Sequence, residues 1–501
     1  MAMKNILPGI EKEPVKTKSI CPVCHKILDA LIFEENKKVW IEKECPEHGK
    51  TKELYWGDSE MYDLAKKYRY DGTGIDNPQV KQFSECPYSC GLCPAHKSHT
   101  ILGIIFVTNR CNLRCSYCFI NAAVQGFIYE PDIRQIESML KTLRTNSPVP
   151  VSAVMFSGGE PSLRGDMTEI ISLAKNMGFS TILFNTNGTI IAQKPELIKE
   201  YKDAGATALY LSFDGLTSKT NPKNHQYTAK IIEECRKVNL AVVLVPTIIN
   251  GVNDHEIGDI VKYAAENIDI IKAVNFQPIS FIGSMTLESR VKQRTTIPDV
   301  IKKINEQTDR QIKKESFFPV PSVLPISKIL ESSFRHPQVE FSAHPHCGMG
   351  TYVFVKDKKI IPITDFLDVR SLYSLLDEIS KEDLYMTHKK VIHGYTLHQK
   401  IKTLIDHEKK PFKFSIVNTL VNLLTKGVID NEFTRNSLFI GMMHFQDAYN
   451  YDIERVKRCV IHYATPDNRI IPFCAFNVLP ELYRDRIHKK YSTDMKTIDR
   501  R

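Results

Sequence analysis

Short, strongly apolar runs alternate with amphipathic stretches between residues 101 and 280. The runs "ILGIIFVTN", "VSAVMFSGGE", "STILFNTNG", "ALYLSFDG", "AVVLVPTI" and "IKAVNFQPI" are β-rich and apolar almost throughout. Between them lie "DIRQIESMLKTLR", "DMTEIISLAKNMG", "KPELIKEYKDAG" and "HEIGDIVKYAAEN", whose apolar positions recur at helical spacing. Strand–helix alternation with continuous apolar strands predicts a parallel sheet covered by helices. Six such units predict an α/β fold built on a partial (β/α)6 barrel. Beyond 280 the rhythm breaks: "IKKINEQTDRQIKKESFFPVPSVLP" is polar and then punctuated by proline. Two later segments, "CGMGTYVFVKDKKIIPITDF" and "CVIHYATPDNRIIPFCAF", each read as a cysteine followed by a β-hairpin. The stretch "FKFSIVNTLVNLLTKGVI" has amphipathic helical spacing, compatible with a core layer or with the wall of an apolar channel. The expected organisation is a metal-knuckle module at 1–70, a linker at 71–100, the barrel at 101–285 and a C-terminal α+β domain at 286–501.

Composition narrows this only slightly. Apolar residues make up 42% and charged residues 25% of the 501, as in ordinary globular chains. A formal charge of +9 is compatible with a phosphate-bearing substrate but too small to argue for nucleic acid. The opening "MAMKNILPGIEKEPVK" lacks the apolar core of a signal peptide, and no run approaches a membrane span. A cytoplasmic protein, peripheral at a membrane surface, is expected.

Cysteine spacing changes the picture most. Without a secretion signal, 13 clustered cysteines point to metal sites rather than disulfides. Cys21, Cys24, Cys45 and His48 form two knuckles that suit one tetrahedral ion, zinc by default or a rubredoxin-like iron. Cys86, Cys90 and Cys93 form a C-x3-C-x2-C group, and Cys111, Cys115 and Cys118 repeat that spacing just after the first strand. Three thiolates suit an iron–sulfur cube with one iron left for another ligand. Cys347, Cys459 and Cys474, carried by the two late hairpins, make a third candidate set, with His346 and His462 as the nearest histidines. Cys235 lies in a helical pattern and reads as an inert buried thiol.

The other polar signatures stand at strand C-termini, where such sheets place their sites: "SGGEP" from Ser157, then "NTNG" and "SFDG". Together with the C-x3-C-x-aromatic-C loop they resemble the radical SAM enzymes. That resemblance implies a [4Fe–4S] cluster on Cys111, Cys115 and Cys118, with S-adenosylmethionine on its free iron. It further implies cofactor contacts from Ser157, Gly158, Gly159 and Glu160, from Tyr117 or Phe119 beside the adenine, and from Asn187, Ser212 and Asp214. For Asn187 and Asp214, turn formation is the competing reading. The late hairpins resemble the cysteine hairpins that hold auxiliary clusters, which implies three [4Fe–4S] clusters and one mononuclear zinc or iron. Over nearly the whole chain the set resembles the archaeal tetraether lipid synthases. This implies C–C coupling of phytanyl chains of archaeal ether phospholipids, a membrane surface and an electron donor such as ferredoxin as partners, and no nucleic acid. The alternative is a radical SAM methylase of a pterin (methanopterin) precursor, whose polar bicyclic substrate needs convergent hydrogen-bonding side chains instead of a long apolar tunnel.

Overall fold

The computed structural model describes residues 13–80, 85–120, 126–282, 287–382, 397–413, 415–427, 429 and 431–492. The domain boundary expected at 285/286 lies outside the described residues.

Strands β1 (Val15–Ile20), β2 (Ile27–Glu35), β3 (Lys38–Cys45) and β4 (Gly49–Trp56) form an antiparallel N-terminal ribbon. Alternation sets its faces: Val39, Ile41 and Cys45 of β3 are buried while Lys38 and Glu44 face solvent. The β2–β3 turn places Asn36 and Lys37 at φ of 54° and 60°, the left-handed pair that a tight hairpin needs.

The six apolar runs become parallel strands in chain order: β5 (Leu102–Thr108), β6 (Ala153–Gly158), β7 (Thr181–Thr186), β8 (Ala208–Ser212), β9 (Ala241–Val245) and, after the short β10 (Thr247–Ile248), β11 (Ile271–Pro278). Helices cover one face. The first, Ile133–Arg144, begins at a reciprocal capping box between Asp132 and Gln135 and buries Ile136, Met139, Leu140 and Leu143. These meet Val154, Phe156, Ile182, Phe184, Leu209 and Leu211 from the strands. Full burial of each such side chain stabilises by about 1.5–3 kcal/mol.

The C-terminal region does not stand apart from this sheet. Its strands are β12 (Phe318–Pro319), β13 (Gly348–Lys356), β14 (Lys359–Pro362), β15 (Ser437–Met443), β16 (Ile461–Ala464) and β17 (Ile470–Pro472). β15 pairs in parallel with β11, and β16 pairs in parallel with β5 at the opposite edge. The six-stranded barrel thus gains one parallel strand on each side. The two late hairpins form as expected, β13–β14 outside β15 and β16–β17 outside β5. The two ends of the sheet then curl back together. Phe445, just after β15, stacks on Phe473, just after β17, at 3.9 Å, and Gln446 N donates to Cys474 Sγ at 3.4 Å.

The amphipathic stretch near 416 is the helix Ile416–Lys426. Its Ile416, Val417 and Leu424 pack with Leu372, Leu376 and Ile401 in a separate helical core. Of the two readings left open, the core layer is what forms. The ribbon docks against the segment before β16: Thr17 Oγ1 and Tyr55 Oη donate to the two oxygens of Asp452 at 2.7 and 2.8 Å.

Candidate functional site: three thiol triads and a ribbon metal site

The first cysteine triad follows β5 directly, and its stem is held by the glycine pair of "SGGEP". Gly159 N donates to Thr108 O at 2.7 Å and Glu160 N to Arg110 O at 2.8 Å. A Cβ on Gly158 would lie 2.3 Å from Thr108 O, and one on Gly159 would lie 2.1 Å from Arg110 O. Gly158 also sits at φ +145°. The pair therefore lets two backbones touch beside the cysteine loop, a use nearer home than the cofactor contact expected from it.

Glu160 is fully buried. Its carboxylate accepts from Ser162 N (3.1 Å), Ser162 Oγ (2.5 Å), Thr186 Oγ1 (2.7 Å) and Asn187 N (2.7 Å). Burial pushes its carboxyl up, and these donors hold it down. The residue ties the end of β6 to the end of β7. Asn187 serves the next turn: its Oδ1 accepts from Thr189 N at 3.0 Å, and its Nδ2 donates to Asn112 Oδ1 of the cysteine loop at 2.9 Å. The turn role weighed against cofactor contact is thus present, with the loop tethered to it.

The aromatics flanking Cys118 part company. Tyr117 turns towards the ends of β8 and β9, where its hydroxyl donates to Asp214 Oδ2 at 2.5 Å. Asp214 is 2% exposed, accepts from Thr247 N at 2.9 Å and pairs with Lys223 Nζ at 2.5 Å. Lys223 also donates to Ser212 Oγ at 2.5 Å. Phe119 turns the other way, edge-on to Phe445 (5.8 Å) and Phe473 (5.7 Å) in the core where the sheet ends meet. It packs there, half-buried. Ser157 Oγ accepts from Asn185 Nδ2 at 2.9 Å.

Burial pushes the Cys111 thiol up to about 11. The ribbon site is complete by itself: the donor atoms of Cys21, Cys24, Cys45 and His48 all lie within 4.8 Å of one another. Such convergence suits one tetrahedral ion.

Cys86, Cys90 and Cys93 line one pocket with Leu92, Ala95, His96, Val456, Lys457 and Pro472. The fold places Cys459 and Cys474 on the wall behind it and brings Cys347 from the opposite sheet edge. Arg455, 1% exposed, donates from Nε to Cys347 Sγ at 3.3 Å. A buried guanidinium against a thiol calls for compensating negative charge, which a thiolate-ligated cluster supplies. The expected histidines do not join this set. His346 stacks on Tyr62 at 4.0 Å with Nε2 3.1 Å from Tyr62 O, and His462 packs against His96. Cys235 lies in the helix-covered core, its thiol pushed up to about 12 by burial. Sequence reasoning missed Lys223, Asn112, Arg455 and His96. Only Asn112 and His96 stand close enough to a cysteine motif to be noticed there.

The barrel face opposite the helices is mixed: Ile104, Phe106, Met155 and Leu183 form an apolar part of it. Alternation places Ser157, Asn185, Tyr210 and Asn275 on it, and Asn275 Nδ2 donates to Tyr210 Oη. Among the described residues no helix is long and apolar enough to cross a membrane.

Comparison with known proteins agrees with this geometry. A family model described as the Radical SAM superfamily matches residues 105–264, and one described as the HMPTM N-terminal zinc ribbon domain matches 14–57. The chain is 44% identical over 499 residues to a 7,8-dihydro-6-hydroxymethylpterin dimethyltransferase of Methanocaldococcus jannaschii, covering 96% of each protein. A GTP 3′,8-cyclase of Clostridium acetobutylicum is 34% identical over 182 residues, 35% of this chain and 56% of that protein. A solved structure of methylornithine synthase aligns over 36% of this chain and 53% of its own, at 16% identity and a TM-score of 0.30. So low a score carries no argument.

The end-to-end relative overturns the expected lipid chemistry. It is named for a pterin and not for a tetraether lipid, so C–C coupling of phytanyl chains, phospholipid substrates and a membrane partner fall with the resemblance that implied them. In the structure, the helix read as a channel wall is spent on a core.

Proposed function

The chain belongs to the radical SAM superfamily and, within it, to the family of the Methanocaldococcus pterin dimethyltransferase, and from that premise we propose that it methylates a 6-hydroxymethyl dihydropterin or a close analogue, in two successive transfers. The observation that carries this reading is 44% identity extending through ribbon, barrel and C-terminal hairpins alike. The hydrogen-bonding groups on the inner barrel face, Ser157, Asn185, Tyr210 and Asn275, support it, because a pyrimidinone edge is held by donors and acceptors while the apolar residues beside them receive its flat faces.

Membership in the superfamily brings S-adenosylmethionine and a [4Fe–4S] cluster, which when bound supply a 5′-deoxyadenosyl radical able to take hydrogen from an unactivated carbon. We assign three of that cluster's irons to Cys111, Cys115 and Cys118. Gly158 and Gly159 hold the loop's stem at contact distance, and Glu160, Asn187 and Asn112 fix the loop to the neighbouring strand ends. Tyr117, Asp214, Lys223 and Ser212 form a pre-set polar floor across β8 and β9. Such pre-organisation keeps water and stray hydrogen donors from a reactive centre. In the same reading the ribbon ligands hold one structural ion, and the other two triads each hold an auxiliary cluster. Residues 286–501 act with the barrel as one unit, since their strands extend its sheet.

The test is direct. Reconstituted protein is given excess S-adenosylmethionine, one molecule cleaved to the radical and methionine and a second giving up its methyl to leave S-adenosylhomocysteine. With a low-potential reductant and 7,8-dihydro-6-hydroxymethylpterin it is expected to yield 5′-deoxyadenosine, S-adenosylhomocysteine and mono- then dimethylated pterin by mass spectrometry. Cys115→Ala should yield none of these. Pterin returned unmethylated, while 5′-deoxyadenosine forms, would overturn the substrate assignment and leave the superfamily chemistry standing.

A further inference from the structure

The pocket of Cys86, Cys90 and Cys93 contains a fourth group with a free lone pair. His96 lines it beside the three thiols. It follows Cys93 by three residues in a turn closed by His96 N donating to Cys93 O at 3.0 Å, and both residues line the pocket. The side chain is nine-tenths buried, at 8% exposure for the residue. Its Nε2 lies 2.8 Å from Cys459 O. A carbonyl only accepts, so Nε2 carries the proton. His462 Nε2, 3.2 Å from the same nitrogen, then serves as a second acceptor. Nδ1 is left as an unprotonated lone pair, with no hydrogen-bond partner among the described residues. Metal-bound histidines show this arrangement: one nitrogen ligates while the other donates to a carbonyl that fixes tautomer and ring orientation. The other nitrogen base in the wall, Lys457, is engaged as an ammonium with Glu454 at 3.0 Å.

We propose that His96 is the fourth ligand, through Nδ1, of the iron–sulfur cluster held by Cys86, Cys90 and Cys93. This cluster is then coordinatively closed and serves electron transfer, in contrast to the Cys111 cluster with its open iron. Because the His96 proton rests on the backbone of Cys459, the closed cluster is coupled mechanically to the third triad. The inference rests on the cluster reading of these three cysteines and not on the identity of the substrate.

The experiment uses full-length reconstituted protein grown with 15N-histidine, reduced, and examined by pulsed EPR together with iron analysis. A directly coordinated histidine nitrogen is expected in the wild type. It should be lost in His96→Ala and lost with one cube's iron in the Cys86→Ala/Cys90→Ala/Cys93→Ala variant. His96→Cys should keep the iron, lose the nitrogen coupling and lower that cluster's midpoint potential, since histidine in place of cysteine raises it. That variant decides the matter if His96→Ala proves too unstable. No histidine coupling in wild-type protein carrying the full iron complement, or a coupling that survives either His96 variant, would overturn the assignment. A Cys86→Ala/Cys90→Ala/Cys93→Ala variant with the same iron content as the wild type would overturn the underlying cluster reading, and the ligand with it.

Discussion

The ribbon site and the C-terminal thiol triad both hang cysteines on the ends of β-strands, yet they are assembled in opposite ways. Cys21, Cys24, Cys45 and His48 come from knuckles of one meander, and short-range turns alone bring their donor atoms within 4.8 Å. Cys347 precedes β13 at one edge of the sheet, whereas Cys459 and Cys474 flank the β16–β17 hairpin at the other. They meet only because the sheet curls and its ends stack through Phe445 and Phe473. A locally closed site stabilises its own module. A site built across a sheet closure reports on the whole barrel.

Cutting the local site is expected to have the largest effect. Cys45→Ser should release one metal ion per chain and weaken the ribbon by several kcal/mol, a fraction of the ~10 kcal/mol that zinc contributes to an isolated finger. Chelator-resolved metal analysis and thermal melts check this, and 5′-deoxyadenosine formation should persist in whatever protein remains folded. Loss of iron from the cubes in the same variant would blur the contrast between the two sites.

Next comes the closure itself. Phe473→Ala empties a stack that also holds Tyr463 at 5.4 Å and Phe119 at 5.7 Å, with an expected cost of ~3–5 kcal/mol. Here the ribbon should keep its ion while iron assigned to Cys347, Cys459 and Cys474 falls. Retention of all iron would show that the hairpins hold that site without the stack.

Gly159→Ala tests the loop that lies between these extremes. The added carbon would sit 2.1 Å from Arg110 O, which must shift, at about 1–3 kcal/mol. The expected outcome is a modest loss of thermal stability with a larger loss of 5′-deoxyadenosine, because the shift falls on the backbone entering Cys111. Unchanged turnover would mean that the loop tolerates displacement.

The smallest effect is one of pH. His488, on the helix Arg484–Lys490, stacks on Tyr129 at 4.0 Å beneath β5, and burial lowers its pKa to about 3. Below the ordinary value near 6.5 the unfolded chain takes up a proton that the folded chain refuses. Stability from this group is therefore complete above pH 6.5 and declines, by up to ~1.4 kcal/mol per pH unit, as pH falls towards 3. His488→Phe should flatten the acid limb of a denaturant titration between pH 6.5 and 5. An unchanged limb would place acid sensitivity elsewhere.

Much of this molecule is legible in its residue pattern because the physics involved is short-ranged. Apolar strands alternating with amphipathic helices predict a parallel sheet, and Leu102–Thr108 through Ile271–Pro278 pair in that order. Ligand spacing predicts the ribbon site, since its four donors need nothing beyond two turns. The same logic misled wherever a residue's surroundings come from afar. Nothing beside Cys118 in the chain shows that Phe119 packs edge-on to Phe445 and Phe473. Ile416–Lys426 has the periodicity of any buried amphipathic helix, and only its packing partners distinguish a core from a channel. The lipid reading came from the whole-chain resemblance, and the end-to-end relative overturns it.

What the sequence determined by itself, then, is the set of local units: the knuckles, the C-x3-C-x2-C loops, the strand–helix repeats and the two cysteine hairpins. Propensity, turn chemistry and ligand spacing act within a few residues, and each leaves a readable pattern. The tertiary structure alone decided which units share a site. It placed β15 and β16 on opposite edges of one sheet, and it brought Cys347 to Cys474 through a stack between distant phenylalanines. It set Lys223 against Asp214 and turned His96 into the pocket of Cys93 with its proton on Cys459. Those contacts join residues whose separation along the chain carries no period, so burial and hydrogen-bond geometry in the folded state are the first place where they exist.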